Sequence, residues 1–182
     1  MATTKHTLVA LVEDKPGVLN RMASLFRRRG FNIESIAVGH SEVPHLSRVT
    51  IVVDGTTTSV EQVRKQLDKV IDVVKVSDIT GDAIVARELA LIKVRATPVT
   101  RSEIMQIVDV FRVNIVDVAS DSVTIEATGD ENKVDSLLNL LRGFGIREIA
   151  RTGCIAMTRG SSGVMQVEEK KPKARAKEQK GS

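Results

Sequence analysis

The sequence predicts an α+β fold made of two consecutive βαββαβ units. Short apolar runs of strand length alternate with segments whose apolar residues fall at helical spacing, and the order of elements repeats after residue 82. Thr80-Gly81-Asp82 is a turn-forming break at the expected boundary. Asn32-Ile33-Glu34-Ser35-Ile36-Ala37 and Asn114-Ile115-Val116-Asp117-Val118-Ala119 stand at equivalent places in the two halves. A chain of 182 residues accommodates two such units, since a small α+β domain needs about 70–80 residues.

Thr7–Val12 is the first strand. Asp14-Lys15-Pro16-Gly17 breaks it, and Pro16 is expected at the first helical position, where its fixed φ suits a helix and its missing N–H is not needed. Along Pro16–Arg29, Val18, Leu19, Met22, Leu25 and Phe26 form the apolar face, and Gly30 ends the helix. Phe31–Val38 and Arg48–Val53 are strands joined by a hairpin loop over Gly39–Ser47. Thr58-Ser59-Val60-Glu61 is a capping box opening a helix with an apolar stripe of Val60, Val63, Leu67 and Val70. Val73–Ile79 is the fourth strand.

The second half follows the same plan. Leu89–Ala96 is a strand, Thr100-Arg101-Ser102-Glu103 a second capping box, and Ile104, Ile107, Val108 and Phe111 continue its helix. Asn114–Ala119 and Ser122–Ala127 are strands around a tight turn at Ser120-Asp121. Asp130 caps a helix carrying Val134, Leu137, Leu138 and Leu141, which Gly143 ends. Ile146–Ile149 and Cys154–Met157 supply the last strand material. The expected organisation is two tandem ferredoxin-like units at 5–80 and 88–159. Residues 81–87 form a linker, and a disordered basic tail covers 160–182.

Composition narrows the function classes. Hydrophobic content is 42%, and no apolar run approaches the roughly 20 residues of a membrane span. The N-terminus lacks the apolar region of a signal peptide, and Cys154 is the only cysteine, so a cytoplasmic location is expected. The excess of positive charge sits in the tail, leaving a nearly neutral body unlike a nucleic-acid surface. Trp and Tyr are absent, so the sheets lack the stacking aromatics of RNA-binding domains with the same element order. His6, His40 and His45 form no metal set; His40 and His45 read as exposed loop residues and Cys154 as a small buried hydrophobe. No constellation for catalysis is evident, so the chain is expected not to be an enzyme.

The stretch Glu13–Ile36 organises the chain. Gly17 leaves the helix start without a side chain, so the free amides of Gly17, Val18 and Leu19 are approachable by a carboxylate. Asp14 beside them suits an ammonium group, and Asn32 offers both a donor and an acceptor. Adjacent anion and cation sites describe a pocket for a free amino acid. The same residues serve equally to make a turn and start a helix. The second half has no D-x-P-G turn, so any ligand belongs to the first unit.

D-K-P-G-V-L, a helix and then R-G-F-N-I closely resemble the signature of ACT domains, small modules that bind amino acids and regulate metabolic enzymes. The longer stretch R-R-G-F-N-I-E-S-I-A-V-G, with L-S-R-V-T-I-V-V at Leu46–Val53, is similar to the family of regulatory (small) subunits of acetolactate synthase. This resemblance continues to about Arg159. It implies binding to the catalytic large subunit, activation of it, and feedback inhibition by valine in branched-chain amino-acid biosynthesis. It further implies a homodimer joined edge to edge, with the effector between Asp14, Gly17, Val18 and Leu19 of one chain and Asn32 and Ile33 of the other. Thiamine diphosphate, magnesium and FAD are expected on the large subunit and none on this chain. Family members often carry Asn at the position of Asp14. The alternative is a free-standing ACT-type sensor regulating transcription or another enzyme.

Overall fold

The computed structural model describes residues 4–55 and 57–161. In the first unit β1 (Thr4–Glu13), α1 (Val18–Arg28), β2 (Ile33–His40), β3 (Leu46–Gly55), α2 (Thr57–Leu67) and β4 (Val73–Asp78) follow in order. The second comprises β5 (Ile84–Arg95), α3 (Arg101–Phe111), β6 (Asn114–Val118), β7 (Ser122–Gly129), α4 (Glu131–Leu141), β8 (Ile146–Arg151) and β9 (Ile155–Thr158). The sheets are antiparallel, with strand orders β2-β3-β1-β4 and β6-β7-β5-β8. The two units therefore share one topology. Strand β9 is an addition, pairing with the first residues of β5 while β8 pairs with its second half.

The helices of each unit cover one sheet face. Leu8, Ala10 and Val12 of β1 meet Val18, Met22, Leu25 and Phe26 of α1 and Val60, Val63 and Leu67 of α2. Ala90, Ile92 and Val94 of β5 meet Ile104 and Val108 of α3 and Val134, Leu137 and Leu141 of α4. A third cluster lies on the opposite face of the first sheet, where Val9 and Leu11 pack with Ile79 and Ala156 against half-buried Ile84 and Ala86. The run Leu8–Val12 is thus buried on both faces of its sheet, as a continuous apolar strand should be. The start of β5 together with β9 forms a ribbon across the face that the helices leave open.

Several local expectations give way to other solutions. Helix α1 begins at Val18, not Pro16, because Gly17 stands at φ +87° in the left-handed region and separates Pro16 from the helix. Leu19, expected on the apolar face, is 45% exposed. The Thr100 capping box does not form: the Thr100 hydroxyl accepts the Thr97 amide at 3.0 Å and Thr97 Oγ1 accepts the Thr100 amide at 3.2 Å. Residues 84–87, expected in a linker, are strand, because β9 supplies them with a partner. Gly143 does not stop α4; the helix tightens into a 3-10 turn over Arg142–Phe144, and Gly145 at φ +93° ends it. Val70 lies beyond α2 yet packs on the core.

The capping box expected at Thr58–Glu61 falls partly on side chains outside the described residues, and Glu61 pairs with Lys65 at 2.9 Å. The basic tail, from Ser162 onward, also lies outside the described residues. Among those described, no helix is long and apolar enough to cross a membrane.

Asp130 does cap α4, its Oδ1 accepting the Lys133 amide at 2.9 Å. Asp130→Ala is expected to lower stability by about 1 kcal/mol, the usual worth of an N-cap, as measured by urea denaturation.

Candidate functional site

The turn between β1 and α1 is pinned from three sides. The Glu13 amide donates to the Asp72 carbonyl at 2.8 Å, and the Asp14 amide donates to the His45 carbonyl at 2.9 Å. One turn into α1, the Arg21 guanidinium pairs with the buried Asp72 carboxylate, tying the helix to the segment that leads into β4. The exposed Lys15 ammonium pairs with the Glu13 carboxylate, which raises the lysine above its ordinary range.

Within this frame the start of α1 is open. The Val18 amide makes only a long contact of 3.5 Å to the Lys15 carbonyl, and the amides of Gly17 and Leu19 meet no acceptor among the described residues. A Cβ at Gly17 would find nothing within 4 Å, so the glycine faces open space. The first turn of α1 holds no acidic residue, so no carboxylate of its own stands at the positive end of the helix dipole. The Asp14 side chain beside it is half exposed. Val18 contributes its amide alone, since its side chain is buried in the core, while the Leu19 side chain projects outward.

Two histidines belong to this region, which the sequence does not disclose. His40 is the last residue of β2 rather than a loop residue, and its Nδ1 lies 3.5 Å from Asp14 Oδ2. His45 adopts φ +63° and supplies the carbonyl that holds Asp14. The hairpin β2–β3 folds both back onto the turn, a contact that no local spacing signals. His6, by contrast, is buried in β1, its Nδ1 3.5 Å from Asp78 Oδ2.

Asn32 and Ile33 sit elsewhere. Gly30, at φ +69°, ends α1, and the Phe31 amide returns to the Phe26 carbonyl at 3.1 Å. Asn32 follows exposed, and Ile33 packs half-buried against the first core. They adjoin the C-terminal end of α1, whereas Gly17–Leu19 form its N-terminal end. An 11-residue helix places these ends about 16 Å apart. One chain therefore gathers Asp14, Gly17, Val18 and Leu19 at one end of α1 and holds Asn32 and Ile33 at the other. Strand β2, which carries the second group, is an edge strand with Ile36 and Val38 exposed.

Sequence comparison covers both units. Residues 8–75 match the AHAS small subunit-like ACT domain, and residues 87–160 match the family described as small subunit of acetolactate synthase. A probable acetolactate synthase small subunit of Archaeoglobus fulgidus is 57% identical over 157 residues, spanning 86% of this chain and 98% of that protein. The acetolactate synthase small subunit of Bacillus subtilis is 51% identical over 159 residues, 86% of this chain and 92% of its own length. A crystal structure of the acetolactate synthase small subunit from Thermotoga maritima superposes with a TM-score of 0.79 at 46% identity, covering 86% of this chain and 98% of that one.

Cys154 lies beside β9, half-buried, and burial followed by the Glu88 and Glu131 carboxylates pushes its thiol up. A raised thiol holds less thiolate at any pH below its pKa, so Cys154 in the folded chain should react more slowly with iodoacetamide at pH 8 than the same thiol in the denatured chain. The rate should climb with pH; equal rates in the folded and denatured chain would show that the burial is not felt.

Proposed function

The chain belongs to the acetolactate synthase small-subunit family, and on that premise we propose that it binds the catalytic large subunit, activates it and makes it sensitive to valine. It is a regulator without a reaction of its own. Thiamine diphosphate, magnesium and FAD belong, on this reading, to the large subunit, and the complex works in the cytoplasm.

The observation that carries the effector reading is the separation of the two half-sites along α1. Helix α1 runs back from the end of β1 to the start of β2, so it lies antiparallel to β2. If the edges of two β2 strands pair antiparallel across a two-fold axis, the start of one β2 lies beside the end of the other. That places Asn32 and Ile33 of one copy next to Gly17–Leu19 and Asp14 of its mate. The exposed Ile36 and Val38 become covered in the same step, and the open sheet edge is closed. In each of the two equivalent sites the α1 amides take the valine carboxylate, Asp14 takes the ammonium, Asn32 holds the polar end from the other side, and Ile33 with Leu19 meets the isopropyl group. A ligand bridging two copies favours the associated state, which is the differential affinity that regulation requires.

Titration calorimetry of the purified chain with valine, beside Gly17→Asp and Gly17→Ala, tests the assignment. Both substitutions put a Cβ at φ +87°, but only aspartate sets a negative charge against the bound carboxylate. Wild type is expected to bind and Gly17→Asp not to bind, while Gly17→Ala binds more weakly. With the large subunit added, Gly17→Asp should still activate the enzyme and leave it insensitive to valine. Loss of activation together with dissociation from the large subunit would overturn the assignment.

A further inference from the structure

Strand β2 follows a regular ladder except at one residue. Ile33 pairs with Val53 and Ser35 with Val52, so Glu34 is an extra residue, a β-bulge. An extra residue shifts the two-residue alternation by one and sends the following side chain to the other face. Ile33 shares the helical face with Val53, whereas Ser35 shares the opposite face with Val52, where the second unit lies. There Ser35 Oγ accepts the amide of Cys154 at 2.7 Å. Gly153 precedes it at φ +83°, and a Cβ there would come within 2.8 Å of Ser35 Oγ and 3.1 Å of the Ile36 carbonyl oxygen. The turn after β8 thus rests its backbone directly on the backbone of β2.

The bulged residue makes the second link. Glu34 Oε2 lies 3.0 Å from Lys5 Nζ, which in turn reaches Glu131, the first residue of α4, at 2.6 Å. The Glu131 carboxylate, followed by that of Glu34, holds the Lys5 ammonium above its ordinary range. Beside both links lies a cavity of about 330 Å³ bounded by Ile36, Val52, Arg87, Arg151 and Thr152. Two consecutive residues of β2 therefore hold the second unit, and they follow Asn32 and Ile33 without interruption.

We propose that the Glu34 bulge, with Ser35, is the joint through which an amino acid bound at Asn32 and Ile33 governs the position of the second unit. The proposal rests on the effector reading above. A ligand drawing Asn32 and Ile33 toward a neighbouring copy acts on the residue next to the bulge, where the ladder is interrupted. Ser35 and Glu34 then move with it, and Gly153–Cys154 and Glu131 follow because they are bonded to them. Lys5, Ser35 and Gly153 act as positioning residues that touch no ligand.

The test uses the full chain, alone and combined with the catalytic large subunit. Ser35→Ala removes the hydroxyl, Lys5→Met removes the ionic bridge, and Gly153→Ala forces a methyl group against Ser35. For each variant, valine affinity is measured by calorimetry and valine inhibition on the reconstituted enzyme. Affinity is expected to stay near wild type, while half-inhibition requires about tenfold more valine or is not reached, a change within the usual range of allosteric coupling. In hydrogen exchange, valine should alter protection of residues 152–154 in wild type but not in Ser35→Ala. Variants that bind and are inhibited as wild type would overturn the joint alone, as would inhibition that weakens only in proportion to affinity. A wild-type chain that binds no valine would overturn the effector reading and the joint with it.

Discussion

The structure depends on one constraint: β1 is buried on both faces, but the helices of its unit cover only one. Leu8, Ala10 and Val12 are sealed by α1 and α2, while Val9 and Leu11 point the other way and are as fully buried. Burying a valine or leucine side chain is worth about 1.5–3 kcal/mol, so that second face cannot stay in water without a large loss of stability. What covers it comes from the far end of the described chain, Ala156 of β9, and from Ile84 and Ala86 at the start of β5. Hydrogen bonds follow the same path, with Arg48 donating to the Ala156 carbonyl at 3.0 Å and the Arg159 amide to the Ala83 carbonyl at 2.8 Å. The two units share a topology but not independence.

That constraint explains why the contact between the units falls on β2. The ribbon of β5 and β9 crosses the face shared by Val9, Leu11 and Val52, and β2 lies at the edge of the same sheet. A strand without a bulge would present Glu34 to that face and Ser35 to the helices. With the bulge, the small hydroxyl meets a glycine turn and the long carboxylate swings to Lys5. Close backbone approach and charge pairing are thereby assigned to adjacent residues of suitable size.

Much of this was legible in the chain. The repeated element order follows from apolar spacing, and the helix faces of Met22, Leu25 and Phe26 or Leu137, Leu138 and Leu141 are buried as their periodicity requires. Asp130 announces its cap because an N-cap is a local arrangement. What stayed hidden was non-local. Behind the Thr80-Gly81-Asp82 turn the start of β5 reads as a linker, and only pairing with β9, some 70 residues on, makes it strand. The bulge at Glu34 has no glycine or proline to mark it, and His40 meets Asp14 across a hairpin rather than along a helix. In the candidate site the sequence marked Asp14, Gly17 and Asn32 but not the residues that hold them. It placed Pro16 in the helix because a favourable φ is a property of proline, whereas the left-handed Gly17 that overrules it is a property of the turn.

The openness of the α1 amides is itself a consequence of how fully the rest of the turn is satisfied. A free loop carrying Glu13, Asp14 and Lys15 could fold a carboxylate onto the helix start and cap it from within. Here the Glu13 side chain is taken by Lys15 and its amide by the Asp72 carbonyl. The Asp72 carboxylate is taken by Arg21, and the Asp14 amide is drawn away toward His45. Asp14 turns its carboxylate to His40 rather than to Val18 or Leu19. Each nearby carboxylate thus has a partner other than the free amides at the helix start, and Gly17 holds the left-handed conformation there. An anion arriving from outside then meets amides already aligned, so little ordering cost remains to oppose binding.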